Sequence, residues 1–397
     1  MDLIRLGDIT SKITKGTTPT SVGYDFVESG INFVKVESIS ENGEFIEDKF
    51  AHISSECNNK LSRSQLEEND ILFSIAGAIG RTALVKKSIL PANTNQALAI
   101  IRLPDGVIDH SYLIYALKSP ALFIQYEKKK QGVAQINLSL QNISDFLIPN
   151  LPLDEQRKIA AVLDKVSELI AKRRQQLDKL DEMVKSRFIE MFGDCKQNPK
   201  NWSVWDLEDI AQVGSSKRVF VEELKESGIS FYRGTEVGAL AEGKKVEPEL
   251  FITEKHYDEL CRATGRPKIG DLLMPSICPD GRIWVVDSEK PFYFKDGRVL
   301  WVHDINKNVN STFLLYTLKN RIMADYSSIA SGTTFAELKI FSLKKCKIFN
   351  VPTELQNQFA AFVEQTEKTK TTISESVEKL ETLKKALMQE YFEGGKL

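Results

Sequence analysis

Residues 151–166 read LPLDEQRKIAAVLDKV, and two hundred positions later residues 351–366 read VPTELQNQFAAFVEQT. Pro152 matches Pro352, Gln156 matches Gln356, and Ala160-Ala161 match Ala360-Ala361; Ile159 faces Phe359 and Leu163 faces Val363. The match extends beyond this stretch. LGDIT (6–10) resembles LEDIA (207–211), INFVKVESI (31–39) resembles ISFYRGTEV (229–237), and NDILFSIAG (69–77) resembles GDLLMPSIC (270–278). YLIYALKSP (112–120) resembles FLLYTLKNR (313–321), and MFGD (191–194) has its counterpart in YFEGG (391–395). Ordered pairs at one near-constant offset make the chain a tandem duplication, A–B–A′–B′, with a period far above that of solenoid repeats. Whatever A and B fold into, the chain must accommodate it twice.

The A segments are mixed. FSIAGAIGRTALV (73–85) and QALAIIRLP (96–104) are apolar, β-branched runs broken by Gly and Pro, which predict strands and tight turns; SICPDGRIWVVD (276–287) and RVLWVHDI (298–305) repeat them in A′. HSYLIYALKSPALFIQYEKKK (110–130) carries helical spacing interrupted near Pro120. The B segment, roughly 153–191, is different. Its apolar residues Ile159, Leu163, Val166, Ile170, Leu177, Leu180, Val184, Phe188 and Met191 fall mostly three, four or seven apart. Asp154 and Glu155 follow Pro152 and place negative charge at the positive end of a helix, and Gly193 ends it. In B′, Thr353 three residues before Gln356 has the capping-box pattern. A helix of about 37 residues, about 55 Å long at ~1.5 Å per residue, with a narrow apolar stripe and densely charged flanks, needs a partner for its seam. The nearest partner is its own copy; the alternative is that each helix folds back onto its own A segment. Two B helices packed against each other would form a rod carrying A and A′; if they run antiparallel, A and A′ lie at opposite ends, related by an approximate two-fold.

Composition bounds the function. The chain has 397 residues, 42% of them hydrophobic, with 27% charged and a net charge of −2, which argues against a generic polyanion binder but not against a local basic patch. No apolar run reaches the ~18 residues of a membrane span, and the start MDLIRLGDITSKITKG lacks a secretory signal, so a cytoplasmic protein is expected. Five scattered cysteines (Cys57, Cys195, Cys261, Cys278, Cys346) form no CxxC pair and read as reduced thiols. The four histidines (His52, His110, His256, His303) have no metal-pair spacing. There is no P-loop, GAIG (77–80) reads as a turn, and CPDG (278–281) lacks the following Glu-x-Lys of a nuclease. A chain this long with two long helices and no catalytic set is better explained as a scaffold or recognition subunit than as an enzyme. Duplex DNA suits a two-headed reader, because its groove faces recur about every 34 Å.

At this point the residues acquire a family. The run IPNLPLDEQRKIAAVLDKVSELIAKRRQQLDKLDEMVKSRFIEMFGD (148–194), with KGTTPTS (15–21), FSIAGAIGRTALV and QGVAQINLSLQNISDFLIPNLPLDEQ (131–156), strongly resembles specificity subunits of type I restriction–modification systems. The second half is a looser match: GAIG has no counterpart at CPDG, and Leu355 replaces Glu155. The resemblance implies an α+β chain of two mixed α/β target-recognition domains, residues 1–150 and 193–350. They would be separated by two long helices, 151–192 and 351–397, packed as an antiparallel coiled coil. It implies no catalytic activity and no cofactor on this chain. The partners implied are double-stranded DNA, two methyltransferase subunits that use S-adenosylmethionine on adenine N6, and, as a further pair, two restriction subunits that use ATP and Mg. Each domain would read one half of a split site while the helices set the spacer. The competing readings are a coiled-coil adaptor that never meets DNA and an unrecognised single-chain methyltransferase or nuclease.

Base edges are read by Arg, Asn and Gln, while affinity comes largely from phosphate contacts. Polar residues beside Gly, Pro or strand ends are therefore the candidate DNA contacts: Lys15, Thr17, Arg81, Asn95 and Gln135 in the first domain, and Lys217, Arg218, Arg233 and Arg282 in the second. Glu155, Gln156, Lys172, Arg173 and Arg174 are the candidate partner contacts. The bland alternative for each is a solvated surface residue.

Overall fold

The computed structural model describes residues 2–128, 137–331 and 336–393. The chain divides into two units, one formed by residues 1–174 with 374–397 and the other by residues 175–373. Each unit therefore draws on both halves of the sequence.

In the first unit, a four-stranded antiparallel sheet runs in the order Lys12–Lys15, Leu98–Arg102, Ile71–Ser74, Thr82–Leu84. The two central strands read as nearly unbroken apolar runs because both of their faces are covered. Alternation along the strand sends Ile71, Phe73, Ala99 and Ile101 into one core cluster, and Leu72, Leu98 and Ile100 into another on the opposite face. A three-stranded sheet orders Ala51–Ile53, Ile31–Val34 and Ala92–Thr94, the last pair parallel. Leu3–Arg5 pairs with Leu147–Pro149. The helical stretch breaks where expected: His110–Leu117 stops, Ser119 caps the Leu122 N–H, and Pro120–Glu127 begins with Pro at its first turn.

The second unit repeats this strand by strand. Gln212–Gly214, Val299–His303, Leu272–Pro275 and Trp284–Val285 form its four-stranded sheet, and Phe251–Ile252, Ile229–Tyr232 and Phe292–Phe294 its three-stranded one. Its terminal pair is Val204–Asp206 with Lys347–Phe349. Arg321 stands where the first copy has Pro120, and here one helix, Ser311–Ile329, runs without a break. The helix Gly234–Ala241 occupies a place where the first unit has only a short turn at Val36–Ser38.

The B segments are single helices, Leu153–Phe192 of 40 residues and Thr353–Glu393 of 41, slightly longer than their apolar pattern requires. Gly193, at φ 89°, ends the first and returns its N–H to the Ile189 carbonyl at 2.8 Å. The expected capping box at Thr353 does not form. The Thr353 hydroxyl donates to the Asn308 carbonyl at 3.0 Å, and the Gln356 amide is committed elsewhere.

The two long helices pack against each other within each unit. In the first, Ile159 and Leu163 share a core with Met388 and Phe392, Val166 and Ile170 meet Val377, and Arg174 pairs with Glu381 at 2.5 Å. In the second, Asp181 pairs with Lys370 at 2.7 Å, while the Phe188 and Phe192 rings each lie 5.5 Å from Phe359. Rising numbers on one helix meet falling numbers on the other, so the pairing is antiparallel. Phe188, Phe192, Phe313 and Phe359 are all fully buried, each contributing roughly 1.5–3 kcal/mol by area alone. The chain is thus α+β, two mixed α/β units combined with an antiparallel long-helix pair.

The two repeated glutamines explain part of the duplication. Gln156 Oε1 accepts the Asp109 N–H at 2.9 Å, and its Nε2 donates to the Leu151 carbonyl at 2.8 Å. Gln356 does the same with the Asn310 N–H at 2.8 Å and the Val351 carbonyl at 2.8 Å. Each ties the N-cap residue of a globular-unit helix to the start of a long helix.

Candidate nucleic-acid interface

In the first unit, the segment 15–18 leaves the edge strand and lies against the turn 95–97. Gly16 makes this approach possible: a Cβ there would sit 1.8 Å from the Thr94 carbonyl oxygen. Thr17 N–H donates to that same carbonyl at 3.2 Å, and the Thr18 hydroxyl hydrogen-bonds Gln96. The turn is held from beneath by polar side chains buried completely. Asn93 Nδ2 donates to Asn58 at 2.9 Å and to the Leu61 carbonyl at 3.2 Å, and the Thr94 hydroxyl donates to the Val34 carbonyl at 2.8 Å. Each such bond is worth about 1 kcal/mol net, more if broken on one side. Asn95 Oδ1 accepts the Ala97 N–H at 3.1 Å, which shapes the turn. The result is a rigid ledge exposing Lys15, Arg63 and Gln96. Arg63 reaches Thr17 Oγ1 at 3.5 Å. Lys15 makes no ion pair with any described residue.

The second unit builds the same ledge with hydroxyls. Ser215 Oγ donates to the Val299 carbonyl at 2.6 Å and accepts the Gly297 N–H at 2.9 Å; Ser216 Oγ donates to the Phe294 carbonyl at 2.5 Å. Lys217 N–H donates to Tyr293 Oη at 2.9 Å. Exposed here are Lys217, Arg218, Lys295 and Arg298. Asp296 partners Arg218 at 3.2 Å and Glu337 partners Arg298, leaving Lys217 and Lys295 without ion pairs among the described residues. Amines and guanidinium groups of this kind suit phosphates; the amide of Gln96 suits a base edge.

Not every expected contact joins these ledges. Lys15, Thr17 and Asn95 come together, as do Lys217 and Arg218. Arg81 does not: its Nη1 is spent on the carbonyls of Val36 at 3.2 Å and Ile39 at 2.8 Å, an internal brace. Arg233 is held by Glu236, with both Nε contacts at 3.1 Å, and by Glu249. Burial alone would raise the Glu236 carboxyl; the Arg233 guanidinium and the backbone amides that bond it hold it instead at about 2. Arg282 is paired with Asp280 at 2.8 Å and Glu242 at 3.4 Å. Gln135 lies outside the described residues.

Among the expected partner contacts, Gln156 is buried and bonded inward, which corrects its assignment to a docking surface. Glu155 is exposed, Lys172 pairs with Glu168 at 2.5 Å, Arg174 with Glu381, and Arg173 is half-buried. Arg63, Gln96, Lys295 and Arg298 belong to the ledges and were not among the expected residues. The repeat itself points to one of them, since Lys295 stands two hundred positions after Asn95. All five cysteines are free thiols, and no group of metal-ligating side chains occurs among the described residues. No helix among them is long and apolar enough to cross a membrane.

Two equivalent ledges on two equivalent units can be compared with known proteins. The family model for the type I restriction modification DNA specificity domain matches residues 1–181 and again 199–385. The chain belongs to this family. A type I specificity subunit is the non-catalytic recognition component of its system, and that is the class of this chain. The type I restriction enzyme MjaVIII specificity subunit of Methanocaldococcus jannaschii is 24% identical over 357 residues, covering 84% of this chain and 78% of the relative. The EcoBI specificity subunit of Escherichia coli is 31% identical over 137 residues, 34% of this chain and 28% of the relative. Among solved structures, a chain from work on complex assembly and conformational transition of the type I R-M system matches with a TM-score of 0.61 at 17% identity, covering 98% of this chain and 97% of that one. The type I S subunit from M. genitalium matches at 0.55 with 15% identity, covering 100% and 96%. At these identities the two structures establish likeness of fold.

Proposed function

We propose that this specificity subunit reads a bipartite DNA site, with residues 1–150 and 193–350 as separate target-recognition domains. The carrying observation is the pair of ledges: the same two loops, in both copies, locked together and presenting unpaired cations. In the first unit Lys15 and Arg63 contact phosphates while Gln96 and Thr17 face base edges. In the second unit Lys217, Arg218, Lys295 and Arg298 take these roles. Different residues at equivalent positions suit two unlike half-sites. The long helices set the spacer between the halves. Their charged faces, with exposed Glu155, Lys172 and Arg174 and half-buried Arg173, dock two adenine-N6 methyltransferase subunits, and restriction subunits join that assembly. S-adenosylmethionine, ATP and Mg belong to those partners.

The test is salt-dependent binding of a duplex carrying the site, using the subunit assembled with its methyltransferase. Lys15→Ala and Lys217→Ala should each weaken binding at all sequences and lower the salt slope by about 1. Gln96→Ala should instead relax preference in one half-site only. Unchanged slopes in both lysine variants would overturn the assignment of the ledges.

A further inference from the structure

A cleft of about 820 Å³ in the first unit lies apart from its ledge. It is walled by the helix His110–Leu117, the loop 41–44 and this unit's portions of both long helices, with Leu84, Ile114, Ile170 and Met388 as apolar lining. Acids line it too, yet nearly all are already engaged. Glu44 pairs with Lys86 at 2.7 Å, Glu168 with Lys172 at 2.5 Å and Glu381 with Arg174 at 2.5 Å, while Asp164 accepts from Tyr115 Oη at 2.8 Å. Exposed Glu41 is the exception.

The cations Lys118, Lys384 and Lys385 are left over. None makes an ion pair with a described residue. Lys118 Nζ has only the Asn42 carbonyl at 3.3 Å, and Lys384 Nζ stands 5.6 Å from the centre of the Tyr115 ring. Burial, reinforced by the nearby Lys384 charge, pushes the Lys118 amine down to about 8, and burial likewise lowers Lys384. Glu44 near Lys118, and Asp164 and Glu381 near Lys384, offset this only in part; two desolvated ammonium groups without a direct ion pair carry a cost that an anionic ligand removes.

The duplication supplies an internal control. At the corresponding place in the second unit Tyr316 replaces Tyr115, an exposed Lys319 replaces Lys118, and Val184 replaces Lys384. The lysine that faces this place, Lys370, comes from the other long helix and is neutralised by Asp181 at 2.7 Å and Glu367 at 2.9 Å. One copy satisfies itself; the other leaves two amines open.

We propose that this cleft binds an acidic side chain from a segment of a partner protein, its carboxylate held between Lys118 and Lys384. The apolar walls match the methylene stem of a glutamate. The half-buried amines, behind the loop 41–44, admit a side chain more readily than the phosphate rail of a duplex. This inference does not depend on how the ledges read DNA.

The full chain is reductively methylated at pH 8 and modification at each lysine is followed by mass spectrometry, with four additions compared: acetyl-tetraglutamate amide, its tetraglutamine analogue, inorganic phosphate and duplex DNA. Tetraglutamate should slow labelling of Lys118 and Lys384 at least about tenfold while leaving Lys319 unchanged. Lys384→Val, the residue the second copy uses, should weaken peptide binding about tenfold and Lys384→Arg should retain it, as a charge-assisted contact requires. No protection by tetraglutamate, or equal protection by tetraglutamine, overturns the proposal. Protection by phosphate or DNA equal to that by the peptide also overturns it, making the cleft a general anion or nucleic-acid site. Because the labelling is read on the unaltered protein, a variant that fails to fold does not blunt the test.

Discussion

Replacing Gln156 by Ala removes two buried hydrogen bonds at once: the one that receives the Asp109 N–H at 2.9 Å and the one given to the Leu151 carbonyl at 2.8 Å. Gln156 is only 4% exposed, so water does not replace either bond easily. Each lost bond costs about 1 kcal/mol net, and an orphaned partner adds to that, giving about 2–4 kcal/mol in total. For a unit of this size the melting temperature should fall by about 4–16 °C. Gln356→Ala should cost at least as much, since Gln356 is 1% exposed and makes a further contact to the Asn308 carbonyl at 3.4 Å. The four tryptophans, Trp202, Trp205, Trp284 and Trp301, all lie within residues 175–373, so their fluorescence follows the second unit, and calorimetry is needed for the first. Gln156→Glu separates bonding from packing. The introduced carboxylate keeps an acceptor for Asp109 but faces the Leu151 carbonyl with no proton to give. Burial and that carbonyl raise its folded pKa above the ~4.3 of an unfolded glutamate. Native protein then binds the proton more tightly, so this variant should be closest to wild type below about pH 4 and lose stability as pH rises. A Gln156→Ala loss under about 0.5 kcal/mol, or a Gln156→Glu variant whose deficit relative to wild type is smaller at pH 7 than at pH 4, would contradict this role for Gln156.

Phe192→Ala empties a fully buried site between Phe188, Phe313 and Phe359, with ring centroids at 5.1, 4.9 and 5.5 Å; urea unfolding followed by tryptophan fluorescence should show a loss of about 3–5 kcal/mol. Gly16→Ala drives a Cβ to 1.8 Å from the Thr94 oxygen; a loss of about 1–3 kcal/mol, with weakened DNA binding, should follow, and a variant indistinguishable in both would deny the ledge its close approach. Glu236→Gln tests the Arg233 brace: the carboxyl falls from its ordinary 4.5 to about 2 in the folded chain, so its contribution is complete above pH 4.5 and disappears as pH falls toward 2. The stability gap between wild type and variant, measured by urea midpoints from pH 6 down to pH 2, should therefore close over that window.

The duplication and the stripe of apolar residues made the fold legible. Ile159, Leu163, Val184 and Phe188 lie in the seam because the 3.6-residue period leaves them little alternative. Pro120 marked the helix break and Gly193 the helix end for equally local reasons. The side chains that act at a distance were not legible. Gln156 looks like a surface residue on a polar stretch, and only folding brings Asp109 to it. Arg81 sits beside a glycine turn, as a reading residue would, but the Val36 and Ile39 carbonyls claim it. Thr353 and Gln356 have the spacing of a cap, yet both are drawn away to the segment 308–310. Spacing reports which face a residue occupies, and partners contributed from elsewhere in the chain decide what remains free to bind.

The most direct test of the account is to map methylated adenines at base resolution in cells carrying this subunit with its methyltransferase, before and after residues 1–150 are replaced by the corresponding segment of another family member. Two independent recognition domains on a fixed pair of helices give a site in two parts, of which the exchange rewrites one and leaves both the other and the spacer as they were. A site that changes in both parts, or not at all, would contradict that arrangement.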